Sequence, residues 1–311
     1  MDGIIVINKP HGATSHQAVQ AVRRLFPGVK AGHSGTLDPI ATGVLPVCLG
    51  RATRIVEYII EHPKAYRAAV TLGKTTDTDD SAGKVTATRS VPGLEKSRVE
   101  SLLAGFQGSI EQLPPRYSAV KYRGKPLYSW TRKGEEVPRK TRRAEIYRIE
   151  LLQFNPDCEP QLIFDVKCSK GTYIRTLAVD IGNALGCGGH LDSLARLAVG
   201  PFVLEHSHSL PEIENLCKHG QYRNLIRPMD SALAMLPALS LNDALVGALK
   251  NGQVIRLDSN EIQKQADLGE KKDKGRDKVR VYDQRGNFKA IARLEQTGVE
   301  ARLKTLKYLS S

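Results

Sequence analysis

Hydrophobic and polar positions along the chain change period several times, and the changes outline its elements. Residues 3–7 form a short apolar run ended by Asn8-Lys9-Pro10 and Gly12, the pattern of a strand followed by a turn. Ser15 then stands where a helix cap is expected. Val19, Val22 and Phe26 recur at helical spacing behind it, so a helix is predicted through about Phe26. A Gly-rich loop is expected from Gly32 to Gly43, a strand over 65–72 and a helix from Arg98 to Phe106. Leu162, Phe164, Val166 and Cys168 alternate with polar residues, as in a half-buried strand. Gly171 turns the chain into a helix carrying Ile174, Leu177, Ile181 and Leu185, which Gly186 stops. Strands and helices are mixed without a regular βαβ rhythm. The expected class is therefore α+β, a mixed sheet flanked by helices.

The pattern changes near Leu236-Pro237. Residues 264–280 are charged and Lys-rich. Val279–Asp283 and Phe288–Leu294, joined across Gln284-Arg285-Gly286-Asn287, read as a β-hairpin. Two domains are expected, 1–236 and a small β-rich one over 237–311, in keeping with a length of 311 residues.

Composition narrows the function classes. A hydrophobic content of 41% can build a core, so global disorder is not expected. The net charge of +13 calls for an anionic partner, nucleic acid or a membrane surface. No apolar run approaches the ~20 residues of a membrane span, and the N-terminal residues do not read as a signal peptide. Nucleic acid is the better partner, and a cytoplasmic protein is expected. Five scattered cysteines without a C-x-x-C pair fit a reducing compartment. Cys187 and His190 lack a second pair with matching spacing, so no metal is expected. Asp77, Asp79 and Asp80 do not complete a calcium loop and read as an acidic turn.

The charge is concentrated. Arg116 to Arg148 holds eleven Lys or Arg against three Glu, a local +8, interleaved with Tyr117, Tyr122, Tyr128, Trp130 and Tyr147. Basic groups neutralise phosphates and aromatic rings stack on unpaired bases. A basic RNA-binding insertion near 114–148 is the expectation, against the plainer reading of a solvated charged loop.

The most unusual segment is Gly32-His33-Ser34-Gly35-Thr36-Leu37-Asp38-Pro39, followed by Ala41-Thr42-Gly43-Val44-Leu45-Pro46. Read for its residues alone, Asp-Pro in a Gly-rich loop is a turn that can present a carboxylate. The segment also resembles the catalytic motif of the bacterial tRNA pseudouridine-55 synthases, the TruB family. Further blocks continue the resemblance in order and spacing to about residue 205: Asn8-Lys9-Pro10-His11-Gly12, Lys64-Ala65-Tyr66, Ser118-Ala119-Val120-Lys121, Cys168 through Arg175, and Gly189-His190-Leu191 through Leu194. The tail resembles, more weakly, the PUA domain of many members.

The resemblance implies a pseudouridine synthase fold that isomerises the uridine at position 55 in the T loop of tRNA, without metal, cofactor or guide RNA. It assigns Asp38 as nucleophile, a role an ionised carboxylate can fill alone. Arg175 is its expected ionic partner. Tyr66 is expected to stack on the uracil and to take the C5 proton. Tyr173 and Leu194 should line the same pocket, and His33 should contact RNA and take the place of the flipped base. Lys9 and Pro10 are expected to support the Asp38 loop. Ser34 stands where many members have Thr, and Ala195 where Arg is common, which puts one backbone contact in doubt. The alternatives are an RNA-guided synthase of a ribonucleoprotein, and an RNA-binding or tRNA-folding protein without chemistry.

Overall fold

The computed structural model describes residues 1–91, 93–157, 159–258, 277–297 and 300–310. Most of the Lys-rich stretch, and Cys158, lie outside the described residues. The main sheet is mixed. Along its central path the strands run Gly3–Lys9, Ala41–Leu49, Gly189–Val199, Lys64–Leu72, Gln161–Cys168, Arg142–Asn155 and Gly108–Gln112. Only the pairing of Ala41–Leu49 with Gly189–Val199 is parallel along this path.

Alternation explains how this sheet is covered. In the first strand, Ile5 and Ile7 pack with Val19, Val22 and Ile213 from the helices Ser15–Leu25 and Leu210–Lys218. Ile4 and Val6 point the other way, towards Val44, Ile55 and Phe202. Both faces are buried, so the strand reads as an unbroken apolar run rather than an alternating one. Leu162, Phe164, Val166 and Cys168 pack with Leu177, Ala178 and Ile181 of the helix Ile174–Ala184. On the opposite side of the same strand, Asp165 meets Arg67 at 2.8 Å.

Two local expectations change. The first helix is capped by Thr14, whose hydroxyl accepts from Gln17 N while the Gln17 side chain accepts from Thr14 N, a capping box. Ser15 is the first helical residue, and its hydroxyl is used elsewhere: it accepts from Leu37 N at 2.8 Å and donates to Leu37 O at 3.0 Å. The Gly-rich loop is shorter than the glycines suggest. Ala31–His33 pairs with Val47–Leu49 and the next strand starts at Ala41, leaving 34–40 as loop. Backbone pairing across the sheet outweighs the conformational freedom of Gly32 and Gly43.

A second sheet follows Leu236. Its order is Ala238–Leu241, Lys278–Asp283, Phe288–Thr297, Glu300–Tyr308 and Ile255–Asp258, packed on the helix Asp243–Lys250. The expected hairpin is its centre. This β-rich unit shares core with the first: Ile291 and Leu309 lie in one cluster with Ile55, Ile59, Ala232 and Leu233. Polar contacts cross the same junction, with Tyr282 donating to Asp230 at 2.7 Å and Arg280 to Leu236 O at 2.9 Å.

The basic stretch contains a small hairpin, Lys121–Tyr122 with Lys125–Pro126, and the single helical turn Leu127–Thr131. Its rings are partly used internally. Tyr122 packs edge-on to Trp130 at 5.9 Å, Arg123 lies over Tyr122 and Arg132 over Tyr128, each at 5.4 Å.

Candidate active site

The loop that carries Asp38 is pinned from both sides. Leu37 is buried and its backbone is held by Ser15. Gly12 N donates to Pro39 O at 2.8 Å, and Ala41 N to Asp38 O at 3.0 Å. Lys9 is fully buried beneath the turn. Its ammonium donates to the carbonyls of Ala13 (2.6 Å), Pro10 (2.9 Å) and Pro39 (3.4 Å). These contacts fix a short loop that its own sequence leaves free. Gly43 is required for another reason: a Cβ there would come within 2.3 Å of Arg196 O on the neighbouring strand.

Asp38 opens into a cavity of about 360 Å³. Its Oδ2 lies 3.0 Å from Arg175 Nε. Arg175 sits in the first turn of the helix Ile174–Ala184, with a side chain only 6% exposed against 38% for Asp38. The other two guanidinium nitrogens are engaged as well. Nη2 donates to Tyr117 O at 2.7 Å, and Nη1 donates to Thr78 O at 3.2 Å and lies 3.6 Å from Asp80 Oδ2. The helix start is held by Gln112, whose amide oxygen accepts from Tyr173 N at 2.9 Å and whose NH₂ donates to Tyr173 O at 3.1 Å.

Electrostatics divide the groups. Burial raises the Asp38 carboxyl above the ordinary aspartate range, and Arg175 is the main influence pulling it back. Burial lowers Lys9 and Lys64 to about 8 each. Lys64 donates to the carbonyls of Ile60 and His62. Tyr66 and Tyr173 are raised, in both cases chiefly by burial. His33 is lowered by burial, then by the nearby Arg196 charge, and its Nδ1 is buried without a hydrogen-bond partner among the described residues.

Of the residues singled out in the sequence, Asp38, Tyr66, Arg175, Tyr173 and Leu194 all line this one cavity. His33 ends the short strand just before the loop and is not among the lining residues. Lys9 lies beneath the loop, and Pro10 offers only its carbonyl. Ala195 lies opposite Arg67, whose guanidinium is taken by Asp165. Cys187 and His190 each bond to backbone carbonyls.

Two site residues escape the sequence reading. Asp80 belongs to the acidic turn, but its carboxylate is buried against Arg175. An acidic turn carries no sequence signal for this, because the partner lies 95 positions away. Arg196 is almost wholly buried and lines the cavity beside Tyr66. Its position in a strand between apolar neighbours was the available clue.

The fold is that of pseudouridine synthases. It superposes with a TM-score of 0.74 and 27% identity on a chain of a Cbf5-Nop10-Gar1 complex, covering 99% of this chain and 85% of that one. A chain of an H/ACA RNP bound to a substrate RNA containing 2'-deoxyuridine matches at 0.72 and 25%, over 99% and 85%. Residues 23–174 match the N-terminal domain of TruB family pseudouridylate synthases, and 175–234 the tRNA pseudouridylate synthase B C-terminal domain. Proteins called tRNA pseudouridine synthase B are 45% identical over 83% of both chains in Chromohalobacter salexigens, and 42% over 95% of this chain and 93% of the other in Thiobacillus denitrificans. The chain belongs to the TruB family of pseudouridylate synthases.

Proposed function

We propose that this enzyme converts the uridine at position 55 in the T loop of tRNA to pseudouridine, with Asp38 as nucleophile and no guide RNA. The observation that carries the reading is the Asp38 carboxylate held at 3.0 Å by a buried arginine inside a tyrosine-lined cavity. Family membership supplies the reaction. The relatives named tRNA pseudouridine synthase B, at 42–46% identity, favour tRNA over the guide-directed reading suggested by structural neighbours at 25–27%.

The reaction breaks the N1–C1′ bond, turns the uracil and joins C5 to C1′. Asp38 attacks either C6 of the base or C1′ of the ribose, and both routes require the carboxylate to be ionised. Arg175 keeps it so in a cleft that would otherwise favour the neutral acid. It engages Oδ2 and leaves Oδ1 without a protein donor among the described residues. Asp80 takes up a second edge of the guanidinium and helps hold it in place. Tyr66 stacks on the uracil and takes the C5 proton. Tyr173 and Leu194 close the walls around the base, which reaches them only by leaving its stack, at a few kcal/mol. Lys9 and Pro10 support the loop. His33, beside the mouth rather than within the cavity, contacts the RNA from which the base has left. Bound RNA also covers the basic insertion at 114–148, and residues 237–311 form a PUA-like RNA-binding domain. The protein acts in the cytoplasm.

The deciding assay incubates the protein with an unmodified tRNA transcript and no other RNA, then maps pseudouridine by position. Product at position 55 of the transcript, and in an isolated T-arm stem-loop, is expected. Reaction only after a guide RNA is added would overturn the reading.

A further inference from the structure

Arg196 is the largest fully buried side chain of the molecule's described residues, yet no ion pair joins it to a carboxylate among them. A guanidinium without a counter-charge is costly to bury and is retained only where its donors are all engaged. Two of its contacts are structural. Nε donates to Val44 O at 2.7 Å and Nη2 to Gly35 O at 3.2 Å, which ties the strand Gly189–Val199 to the start of the Asp38 loop. The third contact is different in kind: the guanidinium lies beside the Tyr66 hydroxyl, and the charge of each favours the charged form of the other. The two residues are direct partners in an antiparallel pairing, so their side chains rise from the same face of the sheet into the same cavity.

We propose that Arg196 is a positioning residue for the proton-transfer step, holding the Tyr66 hydroxyl oxygen in the cavity and stabilising the negative charge that builds on it. The inference rests on the role given above to Tyr66. When C5 has joined C1′, Tyr66 Oη releases its own proton to water as it takes the proton from C5, and the C–H electron pair restores the C5=C6 bond. The pair displaced at C6 leaves with the Asp38 carboxylate if Asp38 is bonded there, or moves to N1, which takes a proton from water, if Asp38 had attacked C1′. An N–H donor on Oη occupies one lone pair, fixes the rotation of the hydroxyl and favours the charge-bearing oxygen. The surroundings agree. Burial raises the Tyr66 hydroxyl, and Arg196 is the largest influence in the opposite direction. Reciprocally, Tyr66 is the group that favours the charged Arg196 against its own burial. Lys9 and Lys64 only add positive charge around Arg196.

The test is single-turnover conversion of a T-arm stem-loop by the full chain, with protium or deuterium at C5 of the target uridine. Arg196→Gln is expected to slow conversion by about 10- to 100-fold, within the usual worth of a group assisting acid–base transfer, and to reveal or enlarge a C5-deuterium isotope effect. Arg196→Lys, which keeps one charged donor, should lose less and remain measurable if the glutamine variant does not fold. Adding either change to Tyr66→Phe should cost little beyond Tyr66→Phe alone, because both act through one hydroxyl. Slow turnover without a C5 isotope effect, or losses that multiply fully in the double variant, would overturn the proposal and leave Arg196 as a sheet fastener. Normal turnover by Tyr66→Phe alone would instead refute the proton role of Tyr66, an outcome read without any Arg196 variant.

Discussion

The cleft around Asp38 and the basic stretch at 114–148 both owe their character to charged and aromatic residues, but they use them in opposite ways. In the cleft, Lys9, Arg175 and Arg196 are buried and committed to backbone carbonyls, and Asp38 and Asp80 share one guanidinium. In the basic stretch the charges are solvated. Lys121, Arg123, Arg142 and Arg143 are exposed, and the Arg143–Glu111 pair spans 3.9 Å between groups open to water. A buried charge interacts strongly with its neighbours and tolerates no vacancy, whereas exposed pairs contribute about 0–1 kcal/mol and are screened by salt. Chemistry should therefore fail sharply when one cleft residue changes. Binding should fade gradually as insertion charges are removed. The two regions meet at Tyr117, whose carbonyl receives Arg175 and which lines the cavity along with Tyr128.

The sharpest expected loss is at the proposed nucleophile. Asp38→Asn keeps the shape of the side chain and removes its charge, so pseudouridine formation should disappear while tRNA binding persists, as read by filter binding beside product mapping. Appreciable turnover by the verified variant would refute the assignment. Arg175→Met should abolish activity as well and lower stability by about 3–5 kcal/mol, since Asp38 and Asp80 would be left without their cation. Denaturant melts would measure this, and an unchanged midpoint would mean the network is not stabilising.

Next in size is Tyr66→Phe. Ring packing and stacking survive this change, so a core or stacking role alone predicts near-normal rates. Loss of a proton-transfer hydroxyl predicts a fall of about 10²–10⁴-fold with RNA binding intact. The slow outcome is expected.

The acid side of the pH–rate profile gives a subtler measure of the cleft. The active carboxylate is the deprotonated form and burial raises its pKa, so activity should be lost on acidification before an ordinary aspartate would protonate. The limb should move to still higher pH in Arg175→Gln, because the influence that lowers the pKa is gone. A limb in the ordinary aspartate range would contradict this account.

The insertion should show the smallest change per residue. Neutralising Lys121, Arg123, Arg142 and Arg143 should weaken tRNA binding and flatten its salt dependence. The log–log slope should fall by roughly 0.7–0.9 for each phosphate that the protein no longer neutralises. Rates at saturating tRNA should change little. An unchanged slope would identify the stretch as a solvated face.

A second contrast concerns the tail. The sequence motifs end before residue 206, which suggests that a fragment ending near Leu236 is self-sufficient. The tertiary structure argues otherwise. Such a fragment would lack Ile291 and Leu309, each fully buried against the catalytic unit, with about 1.5–3 kcal/mol attached to burying each side chain. It should melt at lower temperature than the full chain, in a calorimetric scan, whatever its residual activity.

The sequence by itself determined the α+β class with its small β-rich second unit, and it singled out the motif residues that the fold brings together at one cavity. Val19 and Val22, or Leu162 to Cys168, declare their faces because helical and strand periods are local properties. Asp38 and Arg175 lie within compact blocks that resemble a family. The tertiary structure decided what depends on distant partners. Ser15 turned from a helix cap into a loop anchor because Leu37 lies against it. Asp80 joined the site because the fold brings the Arg175 guanidinium to its carboxylate. Arg196 reached Tyr66 through strand register, which nothing near either residue encodes. Local periodicity is written in a dozen consecutive side chains, while the pairing of buried charges exists only once remote segments share one desolvated space.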